Sequence, residues 1–229
     1  MFYCLLFLRM ISIISIEGNI GSGKSTIIQN LKAKFEKEDY IYFLDEPVSE
    51  WTTLTDNSGK NIIEKFYEDK ERYSFSFQMM AYISRLSNLK NLIKNIQTNY
   101  LQHDMVLIIC ERSLETDRNV FCQMLYDQHF IEEINYQIYM KWFDEFMKEL
   151  PPISYVYIQT DPEVAYERVQ KRNRKGETMG LDYLKACHAY HEKWLSKCSL
   201  IIDGNVTKEK TTETVIDIVN DNIIDLLVH

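Results

Sequence analysis

Excess positive charge is the first property that this sequence lacks. Its 26 lysine and arginine residues are outnumbered by 34 aspartate and glutamate residues, and the formal net charge is −8 over 229 residues. A protein that binds nucleic acid nonspecifically needs a basic surface to displace the counterions of the phosphates, so this function class is excluded. Small anionic substrates are not excluded, because a few lysines and arginines can focus an anion inside an acidic protein.

Cysteines are few, and a long apolar run is missing. The five cysteines are odd in number and form no C-x-x-C pair, which is typical of a reducing compartment. The apolar stretch 2–8 is too short to span a bilayer, and no basic n-region, cleavage site or transit segment accompanies it. We therefore expect a cytoplasmic protein with no membrane partner, in which residues 1–9 form an N-terminal extension outside the core.

No internal repeat, linker or low-complexity tract interrupts the chain, so its length predicts one domain over residues 1–229. Apolar, β-branched runs alternate with stretches long enough for crossover helices, at residues 11–17, 40–45, 105–110, 153–159 and 200–203. This alternation predicts an α/β fold with a parallel five-stranded sheet flanked by helices. Apolar periodicity and capping residues predict helices over residues 70–102, 131–150 and 161–173.

The loop after the first strand is the strongest motif. It fits the phosphate-binding P-loop pattern G-x-x-x-x-G-K-[ST] and consists of Gly18, Asn19, Ile20, Gly21, Ser22, Gly23, Lys24, Ser25 and Thr26. A β-branched strand precedes it and a helical apolar pattern follows it, as the motif requires. Lys24 would reach the β- and γ-phosphates, and Ser25 would hold Mg²⁺. The loop therefore predicts binding of a nucleoside triphosphate.

Two carboxylates follow other predicted strands. Ligands of open α/β sheets lie beyond the carboxyl ends of the strands, so Glu46 should face the same crevice as the loop. There it could accept a proton from a substrate hydroxyl, although taken alone a solvated turn glutamate is the more ordinary interpretation. The strand that ends at Glu111 resembles a Walker-B strand, whose carboxylate helps to hold Mg²⁺. Arg112 could bind a transferring phosphate through charge-assisted hydrogen bonds.

Together these motifs resemble the deoxynucleoside kinase family. The resemblance spans residues 11–205 and is carried, in order, by Gly18–Thr26, Glu46-Pro47-Val48 with Trp51, Tyr67, Ser74–Gln78, Ser84-Arg85, Glu111-Arg112-Ser113 with Asp117-Arg118, Arg168 with Arg172 and Arg174, and Leu181–Leu184. It implies a P-loop kinase fold, ATP as phosphoryl donor, Mg²⁺, and phosphorylation of a deoxynucleoside 5′-hydroxyl in nucleotide salvage. It also implies a homodimer built on the helices at 72–102 and 132–149.

The resemblance implies roles for individual residues. Those expected at the deoxynucleoside are Glu46 as the base for the 5′-hydroxyl, Arg112 near that hydroxyl and the moving phosphate, Tyr67 and Glu177 at the 3′-hydroxyl, Gln78 at the base edge, and Trp51, Phe77 and Phe121 as walls of the base pocket. Those expected at ATP, besides the P-loop with its catalytic Lys24, are Arg168, Arg172 and Arg174 in a lid at about 168–178, and Asn205 and Thr207 near the adenine. The metal would be held by Ser25 and Glu111.

Base preference depends on three further positions in the family, which here are Ala81, Arg85 and Asp117. Members that prefer thymidine usually carry a bulkier aliphatic residue and a methionine at the first two and no aspartate at the third. An ionised Asp117 only accepts hydrogen bonds and suits the amino group of cytosine or adenine. The resemblance therefore favours deoxyadenosine, deoxyguanosine or deoxycytidine over thymidine. The alternative is that Arg85 and Asp117 only form a buried ion pair.

Two other functions stay open at this point. A thymidine or thymidylate-type nucleotide kinase is the nearest alternative. The thymidylate type shares the fold and the arginine lid, but it needs a further cationic grip on the acceptor phosphate, and Glu46 would be misplaced as a base. A nucleotide switch such as a GTPase would carry Asn-Lys-x-Asp for guanine, which this sequence lacks.

Overall fold

The computed structural model describes residues 11–99, 105–173, 178–197 and 199–228. A single sheet of five parallel strands has the spatial order β2-β3-β1-β4-β5, and the strands are β1 (Ile11–Glu17), β2 (Ile41–Leu44), β3 (Val106–Glu111), β4 (Ile153–Gln159) and β5 (Ser199–Asp203). The predicted α/β class is confirmed, and each strand bound lies within one residue of its expected position. The expected extension at 1–9 lies outside the described residues.

The central strand β1 and its neighbour β3 are buried on both faces of the sheet. Ile13 and Ile14 of β1, and Ile108 and Ile109 of β3, are at most 2% exposed. Continuous apolar strands of this kind are typical of parallel sheets that helices cover on both sides.

Helices connect the strands. They are α1 (Lys24–Lys34), α2 (Val48–Thr53), α3 (Ile62–Glu68), α4 (Lys70–Asn99), α5 (Leu114–Thr116), α6 (Gln123–Asp127), α7 (Glu133–Met147), α8 (Pro162–Arg172), α9 (Leu181–Leu195) and α10 (Lys208–Val228), with a π-helical turn at Asp117–Cys122. The predicted helix at 131–150 is shorter than expected: it begins at Glu133, because Glu132 has extended backbone angles, and it ends at Met147. Within the described part of the chain, no helix has the length and apolar character needed to cross a membrane.

The helices cover both faces of the sheet. On one face, Leu31 of α1 and Val215 of α10 pack with Leu107 and other core residues of β1 and β3. On the other face, Leu89 and Ile93 of α4 pack with the opposite side chains of the same strands. A second core lies between α4 and α7, where the rings of Tyr82, Tyr139 and Phe143 lie against one another. The N-terminal half of α4 is thereby held beside the carboxyl edge of the sheet.

Candidate active site

The carboxyl ends of β1, β2 and β3 meet at one edge of the sheet and enclose a cavity of about 610 Å³. Its lining includes P-loop residues after β1, Glu46 after β2, and Glu111 and Arg112 at the end of β3. Because β1 lies between β3 and β4, this edge is also the point where the strand order reverses, which is where open α/β sheets bind ligands.

The P-loop packs directly against α8. Gly21 has φ 84°, and a Cβ atom on it would lie 2.4 Å from the carbonyl oxygen of Ala165 and 2.9 Å from Val169 Cγ2. Gly23, the N-cap of α1, has φ 100°. Only glycine fits at residue 21, because both the backbone angle and the close approach to α8 exclude a side chain. The loop ends at the N-terminus of α1, a position that favours a bound anion.

Lys24, the first residue of α1, is buried beneath the loop. Its Nζ donates to the backbone oxygen of Asn19 at 2.7 Å and to Ser22 Oγ at 3.4 Å. Burial, and after it the positive charge of Arg112, lower the pKa of Lys24 to about 7. An anion bound in the loop would favour the charged form of this lysine.

Ser25 and Glu111 offer oxygen atoms at the same point of the cavity. Ser25 Oγ donates to Glu111 Oε1 at 2.7 Å, although the two residues come from different elements. A hydroxyl and a carboxylate side by side are hard oxygen donors, which fit Mg²⁺ rather than a thiophilic metal.

Glu46 lies between two arginines rather than in solvent. Its Oε1 accepts from Arg112 Nη1 at 2.7 Å and from Arg85 Nη2 at 3.2 Å, and its side chain is 17% exposed. Burial alone would raise the pKa of Glu46, but the charges of Arg112, Arg85 and Lys24 together lower it to about 2. The carboxylate is therefore ionised and faces the cavity beside the P-loop.

Arg112 has a left-handed backbone with φ 65°. For a residue with a side chain, this conformation costs about 1–2 kcal/mol. Its guanidinium, besides contacting Glu46, donates to the backbone oxygen of Gly18 at 3.3 Å and lies over the ring of Phe121 at 5.3 Å. The strain is thus associated with a guanidinium that reaches both the P-loop and the carboxylate after β2.

One face of α4 forms the side of the cavity that is remote from the P-loop. Gln78, Ala81 and Arg85 follow one another at three- and four-residue spacing on α4. Gln78 and Ala81 line the cavity, whereas Arg85 lines a smaller neighbouring one. Gln78 Oε1 is buried and has no hydrogen-bond partner among the described residues. Buried polar atoms are normally paired, so this oxygen calls for a donor from a ligand or from water.

Arg85 and Asp117 form a two-point ion pair at the same end of the cavity. Arg85 Nε donates to Asp117 Oδ2 at 2.9 Å and Nη2 approaches Oδ1 at 3.4 Å, while Nη1 donates to the backbone oxygen of Glu111. Burial raises the pKa of Asp117, and the guanidinium of Arg85 opposes that rise. Asp117 still lines the cavity, although its side chain is only 2% exposed and both of its oxygens contact Arg85.

Aromatic and apolar side chains enclose this end. They are Val48, Trp51, Ile63, Phe66, Tyr67, Phe77, Phe121 and Tyr183. Trp51 Nε1 donates to Ser84 Oγ at 2.9 Å, and that hydroxyl bonds back to Met80 O, so the indole is held in place. This role of Ser84 was not predicted, because the hydrogen bond joins two helices that are far apart in the sequence.

The expected lid is described only in part. Arg168 and Arg172 line the cavity, and Arg168 Nη1 approaches Ser22 O at 3.4 Å. Arg174 and Glu177 lie outside the described residues. Lys171 and Lys208 also line the cavity and were missed, although Lys171 belongs to the same basic run as Arg172.

Neither Asn205 nor Thr207 is among the described residues that line this cavity. Asn205 Oδ1 accepts from the backbone N–H of Asp161 at 2.9 Å, which ties the β5–α10 loop to the start of α8. Their neighbours Gly204 and Val206 line a much smaller cavity, together with Arg168. The β5–α10 loop therefore lies near the P-loop, whose Ser22 and Gly23 line the same small cavity.

Known proteins are similar to this chain over all the residues of this site. Residues 14–225 match the family described as deoxynucleoside kinase. The chain is 30% identical to deoxycytidine kinase 2 of Gallus gallus over 220 residues, which are 89% of this chain and 81% of that protein. It is 32% identical over 199 residues to mitochondrial deoxyguanosine kinase of Xenopus laevis, covering 80% and 73%. The same identity over 199 residues relates it to deoxycytidine kinase of Homo sapiens, covering 80% and 74%.

The burial of Lys24 predicts a pH dependence of stability. Between pH 7 and 10.5, the unfolded chain holds a proton on this lysine that the folded chain has released, so stability rises with pH in this window. The unfavourable contribution is full below pH 7 and is lost as the pH approaches 10.5. Lys24→Met should therefore raise the free energy of unfolding by roughly 1–3 kcal/mol at pH 6 and by much less at pH 10.

Urea unfolding of the ligand-free protein at pH 6, 8 and 10 measures this difference between variant and wild type. Lys34→Met is the matched control, since Lys34 is exposed at the other end of α1. The free energy of unfolding of Lys34→Met should change with pH in the same way as that of the wild type. The same result for Lys24→Met would show that the buried ammonium does not affect the pH dependence of stability.

Proposed function

The chain belongs to the deoxynucleoside kinase family, and on that premise we propose that it transfers the γ-phosphoryl group of ATP to the 5′-hydroxyl of a deoxynucleoside. The observation that carries the proposal is the continuity of one cavity. At one end lies the P-loop, at the other an aromatic pocket with an unpaired amide oxygen on Gln78, and Glu46 and Arg112 lie between them. Such a cavity can hold a triphosphate and a nucleoside end to end.

Glu46 is assigned to the 5′-hydroxyl. Its pKa of about 2 makes it a weak base before the reaction begins, because three cations stabilise its ionised form. In phosphoryl transfer the hydroxyl becomes acidic only as its bond to phosphorus forms, and catalysis is mainly positioning and charge stabilisation. A permanently ionised carboxylate therefore orients the hydroxyl first, and receives its proton late in the transfer.

The cations have the complementary role. Arg112 holds Glu46 and reaches Gly18 at the start of the P-loop, so its guanidinium lies where the transferred group must pass. Lys24 and the lid residues Arg168 and Arg172 surround the phosphate end of the cavity. Positive groups fixed in place before the reaction stabilise developing phosphoryl charge without reorganisation.

A divalent cation completes this assignment. Ser25 and Glu111 would hold Mg²⁺, because their oxygens are 2.7 Å apart at the cavity wall. When bound, Mg²⁺ supplies charge neutralisation on the phosphate oxygens.

Base choice is assigned to Gln78, Arg85 and Asp117. The amide of Gln78 can both donate and accept, so alone it tolerates several bases. The Asp117 carboxylate, where ionised, accepts from an amino group of cytosine or adenine, and opposite the O4 carbonyl of thymine it meets another acceptor. Ala81 adds no bulk, which leaves room for a purine. We therefore propose deoxyadenosine, deoxyguanosine or deoxycytidine as the substrate.

The proposed assembly is a homodimer through α4 and α7. Ile134, Ile138 and Trp142 are spaced by four residues on α7 and are 59%, 40% and 44% exposed, with Ile83 of α4 also exposed. Contiguous exposed apolar side chains of this kind mark interaction surfaces. Sedimentation equilibrium that gives the mass of a single chain would contradict this assembly.

A substrate panel tests the proposed function. We expect ATP- and Mg²⁺-dependent phosphorylation of deoxyadenosine, deoxyguanosine or deoxycytidine. Thymidine should be poorer by about ten- to a hundredfold in kcat/KM, because a buried acceptor–acceptor mismatch costs about 1–3 kcal/mol. The four deoxynucleosides and their 5′-monophosphates are compared as acceptors. Turnover with thymidylate alone would replace the proposal with a nucleotide kinase, and a preference for thymidine would overturn only the base assignment.

Glu46→Gln removes the carboxylate but keeps its size. We expect kcat to fall by roughly a hundredfold or more, with deoxynucleoside binding largely kept. Steady-state kinetics and equilibrium binding of the deoxynucleoside measure the two effects. Glu50→Gln, at an exposed glutamate on α2, is the control and should stay within about twofold of wild type. An unchanged kcat in Glu46→Gln would assign the proton to another acceptor.

The double variant Arg85→Met with Asp117→Ala tests base choice. Both must change, because Asp117→Ala alone would leave the Arg85 guanidinium without its two-point partner in a buried site. Arg85 also touches Glu46, so absolute rates will fall for every substrate. The ratio of kcat/KM for thymidine to that for deoxycytidine removes this common effect. We expect the ratio to rise by about tenfold or more, and an unchanged ratio would mean that the pair is only structural.

A further inference from the structure

Glu17, the last residue of β1, is a fully buried carboxylate to which the sequence analysis gave no role. Oε1 accepts from Ser15 Oγ at 2.7 Å and from the backbone N–H of Ser113 at 2.8 Å, and Oε2 accepts from Thr116 Oγ1. These three donors are uncharged. A buried carboxylate is costly unless such bonds offset its loss of water, so the network is a strong local constraint.

Two of the three donors belong to the turn that follows β3. Ser113 comes directly after Arg112, and Thr116 lies one turn further, in α5. The backbone N–H of Arg112 itself donates to Ile16 O at 3.1 Å. Consecutive N–H groups of the turn are thus fixed by consecutive residues at the end of β1, one by a backbone oxygen and the other by the Glu17 side chain.

Hydrogen bonds to β1 therefore hold the left-handed backbone of Arg112 on both sides, through its own N–H and through that of Ser113. A residue with φ 65° keeps that conformation only where its surroundings over-determine it. Without the Glu17 carboxylate, the residues after Arg112 would lose two hydrogen bonds to β1, from Ser113 N–H and from Thr116 Oγ1. The direction of the Arg112 side chain would then no longer be fixed, although it has to place Nη1 at 2.7 Å from Glu46 and Nη2 near Gly18 O.

We propose that Glu17 is the positioning residue of Arg112: its carboxylate holds the turn after β3 and thereby aims the guanidinium at Glu46 and the moving phosphoryl group. The proposal rests on the proposed function, since Arg112 acts there near the reacting atoms. Misplacing a catalytic group by about 1 Å can cost a hundredfold in rate, so a residue that touches no ligand can limit kcat.

Hydrogen-bond acceptance, rather than negative charge, is the property that this role requires. In Glu17→Gln, the amide oxygen can still accept from Ser113 N–H, and the Thr116 hydroxyl can turn to accept from the amide N–H₂. In Glu17→Met, a side chain of similar length offers no acceptor of comparable strength, and Ser113 N–H is left buried and unpaired. A role of the charge itself, in contrast, would be lost equally in both variants.

The experiment compares Glu17→Met and Glu17→Gln with wild type in steady-state kinetics, ATP binding and thermal unfolding. We expect Glu17→Met to lower kcat by about tenfold or more with ATP affinity changed by less than about threefold, and Glu17→Gln to recover most of the loss. Equal losses in kcat for the two variants, or a loss in ATP affinity that matches the loss in kcat, would overturn the proposal.

Two single-hydroxyl variants provide the matched comparison. Ser15→Ala and Thr116→Val each remove one buried O–H donor to Glu17, but only Thr116 lies in the turn beyond Arg112. Thr116→Val should lower kcat and Ser15→Ala should not. This pair also decides the question if Glu17→Met does not fold, and equal effects of the two would contradict the proposal.

Amide hydrogen exchange at Ser113 separates this proposal from the proposed function. Loss of protection at Ser113 in Glu17→Met, with the protection of β1 and β3 kept, is expected whichever substrate the enzyme uses. Unchanged protection would overturn the positioning role. Failure of wild type to phosphorylate any deoxynucleoside would overturn the proposed function and leave the exchange result standing.

Discussion

Mutual compensation of buried charges at the carboxyl edge of the sheet is the constraint on which the rest of this structure depends. Glu46 and Asp117 are largely buried ionisable groups, 17% and 2% exposed, and each contacts a guanidinium. Removing one partner from such a set leaves an uncompensated buried charge, which costs more than the pair contributes. The elements that carry these side chains are therefore bound to one another through the site, as well as through the apolar core.

The parallel sheet makes this gathering achievable. Its strands end at the same edge, so residues far apart in the chain, such as Ser25 and Glu111, become neighbours without a long loop. The helix α4 adds a further wall of the cavity through Phe77, Gln78 and Ala81. Hydrophobic packing against α7 holds the N-terminal half of α4 in place. The shape of the cavity therefore depends on this helix–helix contact as well as on the P-loop.

Periodicity and local motifs made much of this predictable. Apolar runs placed each strand within one residue, and the P-loop pattern placed Lys24 and Ser25, because both signals are local. The left-handed backbone of Arg112 and the burial of Glu17 were not predictable, since each depends on hydrogen bonds between β1 and a turn about a hundred residues away. The tertiary contact of the Asn205 side chain with Asp161 was not predictable for a similar reason, and its place near the adenine of ATP stays a prediction.

Arg85 links the two carboxylates to which the proposed function gives different roles. Its guanidinium bonds both Asp117, proposed for base choice, and Glu46, proposed for the 5′-hydroxyl, so the two proposed roles share one side chain. A lineage that drifts toward another nucleobase by altering this arginine must disturb the carboxylate as well, and residues that touch one another have non-additive effects. Adaptation of the base pocket is therefore expected to proceed through compensating pairs of substitutions, with slower intermediates between efficient enzymes.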